Sequence, residues 1–162
     1  MKVLAVDDSR SMRFALESSL ISLGHEVRLC ETAEEALEEF RNNTYHLAVL
    51  DWILPGMNGL ELCREMRRLP GGDACIILMI TSRDRQEDLE AVLEAGADDY
   101  LAKPVDEKLL LTRLKVAQRM ASTLMARVRM ETQLKESLRD KETLIKEGSS
   151  PKRVGRLLLV IA

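Results

Sequence analysis

The apolar residues of this chain alternate between short continuous runs and helical stripes. Runs rich in Val, Ile and Leu occupy residues 2–6, 26–29, 47–50, 75–80 and 99–101. Three of them are unbroken or nearly so, the pattern of parallel strands buried on both faces. The intervals between them carry helical spacing. Over residues 12–23, Phe14, Leu16, Leu20, Ile21 and Leu23 form one broad apolar face, and Gly24 fits the position just past the helix end. Thr32, with Glu35 three residues on, makes a capping box for a second helix. Asn58 and Glu61 repeat that logic for a third, which runs to about Leu69 before Pro70, Gly71 and Gly72. Asp84 with Glu87 opens a fourth, closed by Gly96, and a fifth begins near Asp106.

Five strand–helix units predict an α/β fold, a doubly wound five-stranded parallel sheet with right-handed crossovers and helices on both faces. Such sheets bind ligands outside the carboxyl ends of their strands. Chemistry is therefore expected in the residues just after each strand.

The fifth helix does not stop where a domain of this size would stop it. From Asp106 to Glu147 there is neither Pro nor Gly, about 42 residues or roughly 63 Å of helix. Leu110, Leu114, Ala117, Ala121, Leu124 and Val128 recur at alternating intervals of four and three. Glu131 interrupts this seam, and Leu134, Leu138 and Ile145 resume it imperfectly. Glu131–Lys135 and Glu142–Lys146 are favourable i,i+4 pairs. A half-apolar helix of this length is marginal alone in water. A parallel coiled-coil homodimer is expected, with a frayed, solvated tail as the alternative. The expected organisation is a domain over 1–118, a coiled-coil extension over 119–147 continuous with its last helix, and a tail over 148–162. In that tail Gly148, Ser149, Ser150 and Pro151 break the helix, and Lys152, Arg153 and Arg156 precede an apolar stretch whose role stays open.

Composition narrows the classes. With 46 % of its 162 residues hydrophobic, the chain is not a disordered one. A net charge of -3 and a pI of about 5.5 give no case for direct nucleic-acid binding. Phe14, Phe40, Tyr45, Trp52 and Tyr100 are too few to build base-stacking platforms. No apolar run approaches the roughly 18 residues of a membrane span, and no signal peptide is expected before the first strand. Cys30, Cys63 and Cys75 are odd in number and lack C-x-x-C spacing, so reduced, buried thiols and a cytoplasmic location are expected. His25 and His46 precede strands, at the wrong edge for this chemistry, and are expected at the surface or in caps.

Asp7 and Asp8 follow the first strand, Asp51 the third, Thr81 the fourth and Lys103 the fifth. Singly, each is a common turn or capping residue. Together, at the carboxyl ends of four parallel strands, they converge on one edge. Clustered carboxylates repel unless a cation sits among them, and hard oxygen donors suit Mg²⁺. Lys103 adds a fixed positive charge and Thr81 a hydroxyl. A cation, an ammonium and a hydroxyl around one carboxylate make a pocket for a doubly negative group, as phosphoryl transfer requires. Asp51 is then the natural nucleophile, forming an acyl phosphate.

These motifs resemble the response-regulator receiver domain of two-component signalling: Asp7 and Asp8, the segment from Asp51 through Pro55 to Gly59, Thr81 with Ser82, and Lys103 before Pro104. The resemblance covers residues 1–118. It implies a flavodoxin-like sheet of order 2-1-3-4-5 and a cis bond before Pro104. It implies that Asp51 accepts phosphate from a sensor histidine kinase or a histidine phosphotransfer protein. Asp8, Asp51 and the backbone carbonyl of Ile53 would hold Mg²⁺ directly, and Asp7 through a water. Thr81 and Lys103 would hold phosphoryl oxygens, and Tyr100 would be an aromatic switch coupled to Thr81. Ile53 and Arg83 would flank the acyl phosphate, and the apolar Ile53 is expected to position attacking water poorly.

Residues 134–147 resemble the linker that leads into a histidine-kinase dimerisation domain. The whole is expected to be a receiver with a signalling helix, cut before an effector, and dimeric through that helix. It is not expected to be an enzyme on external substrates; Mg-dependent self-phosphorylation and autodephosphorylation are its only expected reactions. Aspartyl-phosphate phosphatases usually carry a second Asp two residues after the nucleophile, where this chain has Ile53. The alternative is a stand-alone phosphate shuttle or sink.

Overall fold

The structure is a computed structural model and describes residues 1–82 and 85–148. The expectations placed on Arg83, Asp84 and the tail beyond Gly148 lie outside the described residues. Five parallel strands, β1 (Lys2–Val6), β2 (Glu26–Cys30), β3 (Leu47–Asp51), β4 (Ile76–Thr81) and β5 (Asp99–Ala102), form one sheet ordered β2-β1-β3-β4-β5. That is the order the resemblance implies. Five helices connect and follow them: α1 (Arg10–Ser22), α2 (Ala33–Asn42), α3 (Gly59–Arg68), α4 (Gln86–Glu94) and α5 (Glu107–Gly148).

Strand side chains alternate between two separate cores. Leu4, Val6, Ala48, Leu50, Ile77 and Met79 pack with α2, α3 and α4 through Phe40, Leu62, Met66 and Val92. Val3, Ala5, Leu47, Val49, Leu78 and Ile80 face the other way onto α1 and α5, meeting Leu16, Leu20, Leu110, Leu114, Ala117 and Ala121. The sheet is therefore covered on both faces. Burying each large side chain stabilises the domain by about 1.5–3 kcal/mol.

Packing divides the chain into one unit over Met1–Met125 and a second from Ala126 onward. In the first, the α5 seam is buried at Leu110, Leu114, Ala117 and Ala121. These four positions cannot pair with a second helix, because the sheet already covers them. The apolar spacing from Leu110 to Ala121 therefore belongs to the core on this face of the sheet. Every described residue of the second unit is exposed.

The helix starts follow local chemistry. Ser9 caps α1 by accepting from the Met12 N–H. Asn58 and Glu61 form the full reciprocal box of α3. At α2, Thr32 accepts from Glu35, but the Glu35 carboxylate accepts from the N–H of Glu31 rather than from Thr32. Helix α4 has Arg85 at its N-cap, without a side-chain cap. His25 is corrected. It is buried, beside the Gln118 side chain of α5. His46 is half-buried. The three cysteines are free and buried, as expected.

Candidate functional site

The carboxyl ends of β1, β3, β4 and β5 bring the acidic residues, Thr81 and Lys103 to one edge. Asp51 is the last residue of β3 and is 4 % exposed; Asp7, just past β1, is fully buried, while Asp8 is exposed. Oxygens of Asp7, Asp8 and Asp51 lie within 4.8 Å of one another. The Lys103 ammonium bridges the two buried carboxylates, donating to Asp51 Oδ2 at 2.8 Å and to Asp7 Oδ2 at 3.0 Å. Thr81, fully buried, ends β4, and its carbonyl accepts from the Lys103 N–H at 2.7 Å. A cis peptide bond joins Lys103 to Pro104.

Electrostatics follow from this crowding. Burial pushes the Asp51 carboxyl above the ordinary carboxylate range, and the neighbouring Asp7 charge adds to it. The hydrogen bond and charge of Lys103, with the Ile53 N–H on Asp51 Oδ1 at 3.2 Å, pull the other way without winning. Burial works against the charged form of Lys103, but hydrogen bonds to Asp51 and Asp7 outweigh it and hold its pKa above the ordinary lysine value. The Lys103 ammonium contacts two of the three clustered carboxylates, so the described side chains of the cluster are left with excess negative charge. An exposed Asp8 beside two buried partners leaves an approach from solvent. All-oxygen donors, excess negative charge and access fit a hard divalent cation such as Mg²⁺.

The loops around the site are tied down by residues that motif reasoning passed over. Arg13 donates from Nη1 to the carbonyls of Asp7, at 2.7 Å, and Asp8, at 2.9 Å. A cation in the first turn of a helix opposes the helix dipole; that misplacement was the available sequence signal. The Asp7 carboxylate also accepts from the Ser9 N–H at 2.8 Å. After β3, the Met57 N–H donates to Glu34 Oε1 at 2.8 Å and holds that carboxyl below its usual range. Gly56, at φ +74°, lies against the same carboxylate, where a Cβ would sit 2.7 Å from Oε1. A Cβ on Gly59 would meet the Asp51 carbonyl oxygen at 2.0 Å, so only glycine lets α3 start this close to the site.

Of the remaining expected residues, Ile53 is half-exposed and its N–H touches Asp51. Tyr100, on β5 opposite Met79, is half-buried against the core of the α2, α3 and α4 face. Trp52, beside Asp51, packs partly into the same core. His25 and His46 lie at the opposite, amino-terminal edge, preceding β2 and β3.

A doubly wound sheet with an acidic pocket, a bridging lysine and a buried threonine at its strand ends defines the class of module. Comparison with known proteins specifies it. The response regulator receiver domain matches residues 3–115, and the chain belongs to that family. The response regulator MprA of Mycobacterium sp. (strain KMS) is 41 % identical over 122 residues, covering 75 % of this chain and 52 % of that protein. The transcriptional regulatory protein AfsQ1 of Streptomyces coelicolor is 38 % identical over 117 residues, covering 72 % and 51 %. The chain thus spans about half the length of the curated relatives it matches. Among solved structures, a CheY-like receiver domain protein from Methanospirillum hungatei superposes with a TM-score of 0.69 at 31 % identity, covering 75 % of this chain and 96 % of that one. The BeF3-activated DrrB receiver domain gives 0.66 at 30 %, covering 73 % and 97 %.

Proposed function

We propose that Asp51 is the phosphoacceptor of a two-component receiver. The donor is the phosphohistidine of a sensor histidine kinase or a histidine phosphotransfer protein. An Asp51 carboxylate oxygen attacks phosphorus, the P–N bond to the donor imidazole breaks, and an acyl phosphate forms. Asp8, Asp51 and the Ile53 carbonyl would hold Mg²⁺ directly, and Asp7 through a water; a bound ion would supply charge neutralisation for the phosphoryl group. Lys103 is positioned to transfer its ammonium from the free carboxylates to a phosphoryl oxygen, and Thr81 to offer its hydroxyl to another. One observation carries this reading: a buried, crowded Asp51 carboxylate, 2.8 Å from Lys103, among two further carboxylates.

Phosphorylation biases a two-state equilibrium in which Thr81 and Tyr100 take part. The chain acts in the cytoplasm as a receiver domain over 1–118. The helical extension over 119–147 joins two copies and passes the state to an effector. It turns over no external substrate.

Incubation with acetyl phosphate tests the site. Mg-dependent phosphorylation is expected, abolished in Asp51→Asn and strongly slowed in Lys103→Ala. Equal labelling of Asp51→Asn overturns the assignment. Sedimentation at increasing concentration tests the dimer, and a monomer throughout points to a shuttle or sink instead.

A further inference from the structure

The imperfect seam of α5 is two seams of different phase. The first half is spent on the sheet. Beyond Ala126, residues 127, 131, 134, 138, 141 and 145 step by four, three, four, three and four, which is the a/d spacing of a coiled coil. They are Arg127, Glu131, Leu134, Leu138, Lys141 and Ile145, all exposed. Leu134 is 61 % and Ile145 69 % exposed. Met130 and Leu144 flank the same seam and are exposed as well.

The charges on this seam decide the orientation of a second copy. In a parallel, in-register pair each residue meets its own counterpart. Arg127, Glu131 and Lys141 then form three like-charge layers out of six. In an antiparallel pair centred near residue 136, a positions meet d positions. Leu134 packs on Leu138, Glu131 meets Lys141, and Ile145 lies on the aliphatic stem of Arg127. Met130 meets Leu144 along one flank. The one like-charge meeting is Lys135 with itself, at the solvated rim where salt screens it. Within each helix, Arg127 Nε also donates to Glu131 at 3.1 Å.

The geometry points to an antiparallel pairing of two copies through residues 127–145 of α5. It rests on the homodimer proposed above and sets that dimer's seam and direction. Pairs of opposite charge repeated by the two-fold supply specificity against the parallel alternative.

The 162-residue chain serves for the test, since Cys30, Cys63 and Cys75 are buried. Sedimentation equilibrium of Lys141→Glu, which sets Glu against Glu131 only in the antiparallel pair, is expected to show a dissociation constant raised at least about tenfold. The double exchange Glu131→Lys with Lys141→Glu is expected to restore it. Under oxidation, a mixture of Leu134→Cys and Leu138→Cys chains is expected to form the mixed disulfide. Ile145→Cys alone is expected to form none, its two copies lying far apart. An unchanged dimer in Lys141→Glu, or ready self-crosslinking of Ile145→Cys, overturns the antiparallel pairing and leaves the homodimer standing. A wild-type monomer at every concentration overturns both.

Discussion

Asp51 is held in a conflict that its neighbours only partly relieve. Burial and Asp7 disfavour its charge while Lys103 favours it, and the first two win. A group so placed is poised to exchange its partners when a cation and a phosphoryl group arrive. Ile53, two residues on, carries a half-exposed apolar side chain, and its N–H donates to Asp51 Oδ1. That side chain cannot orient water by hydrogen bonding, so the acyl phosphate should be long-lived. Ile53→Asn is expected to speed autodephosphorylation several-fold, about 1 kcal/mol of barrier, as read by decay of the phosphoprotein after donor removal; an unchanged rate contradicts this. His25 supplies a pH effect remote from the site. Burial lowers its pKa from 6.5, with the N-terminal ammonium adding to this and Gln118 opposing. A lowered folded pKa means the neutral form stabilises the fold fully above about pH 6.5, and this contribution is lost as pH falls through the lowered value. Replacing His25 by Asn should therefore remove part of the stability loss between about pH 7 and pH 5, measured by denaturant midpoints of the two proteins. Equal slopes would show that His25 does not titrate in this window.

The elements show which local signals survive packing. Strand positions were legible because all six residues of β4 and all five of β3 are buried, leaving continuous apolar runs. The α3 cap was legible because Asn58 and Glu61 answer each other locally. The Glu35 carboxylate instead took the N–H of Glu31, one residue upstream of the expected partner. In α5 the period of apolar residues was legible, but not who covers them. A 3.5-residue stripe looks the same whether a sheet or a second helix buries it. The difference is measurable. Leu114→Ala should cost about 2–5 kcal/mol of domain stability. Leu134→Ala, on the exposed stretch, should change it by less than about 0.5 kcal/mol while weakening dimerisation. Equal destabilisation by both, in urea unfolding of the monomeric fraction, would contradict this division.

As a whole, the molecule combines a receiver whose site residues come from four strands with a helix whose exposed seam begins where its packing on the sheet ends. No helix among the described residues is long and apolar enough to cross a membrane. The strand-end constellation was legible because parallel topology converts chain order into spatial convergence. The tie from Glu34 was not, because it joins loops through a backbone group that leaves no motif, and Arg13 was marked only by its unfavourable place in the first turn of α1. Mg²⁺ should stabilise the folded state alone, by about 1.4 kcal/mol at ten times its dissociation constant. A thermal melt with and without Mg²⁺ should show this shift in wild type and its near-loss in Asp8→Asn; equal shifts would remove Asp8 from the site. Whether phosphate lands on Asp51 is read by borohydride reduction of the acetyl-phosphate-treated protein, followed by peptide mapping. The reduced, homoserine-bearing residue is expected at position 51 and nowhere else; reduction at Asp7 or Asp8, with Asp51 intact, would overturn the assignment.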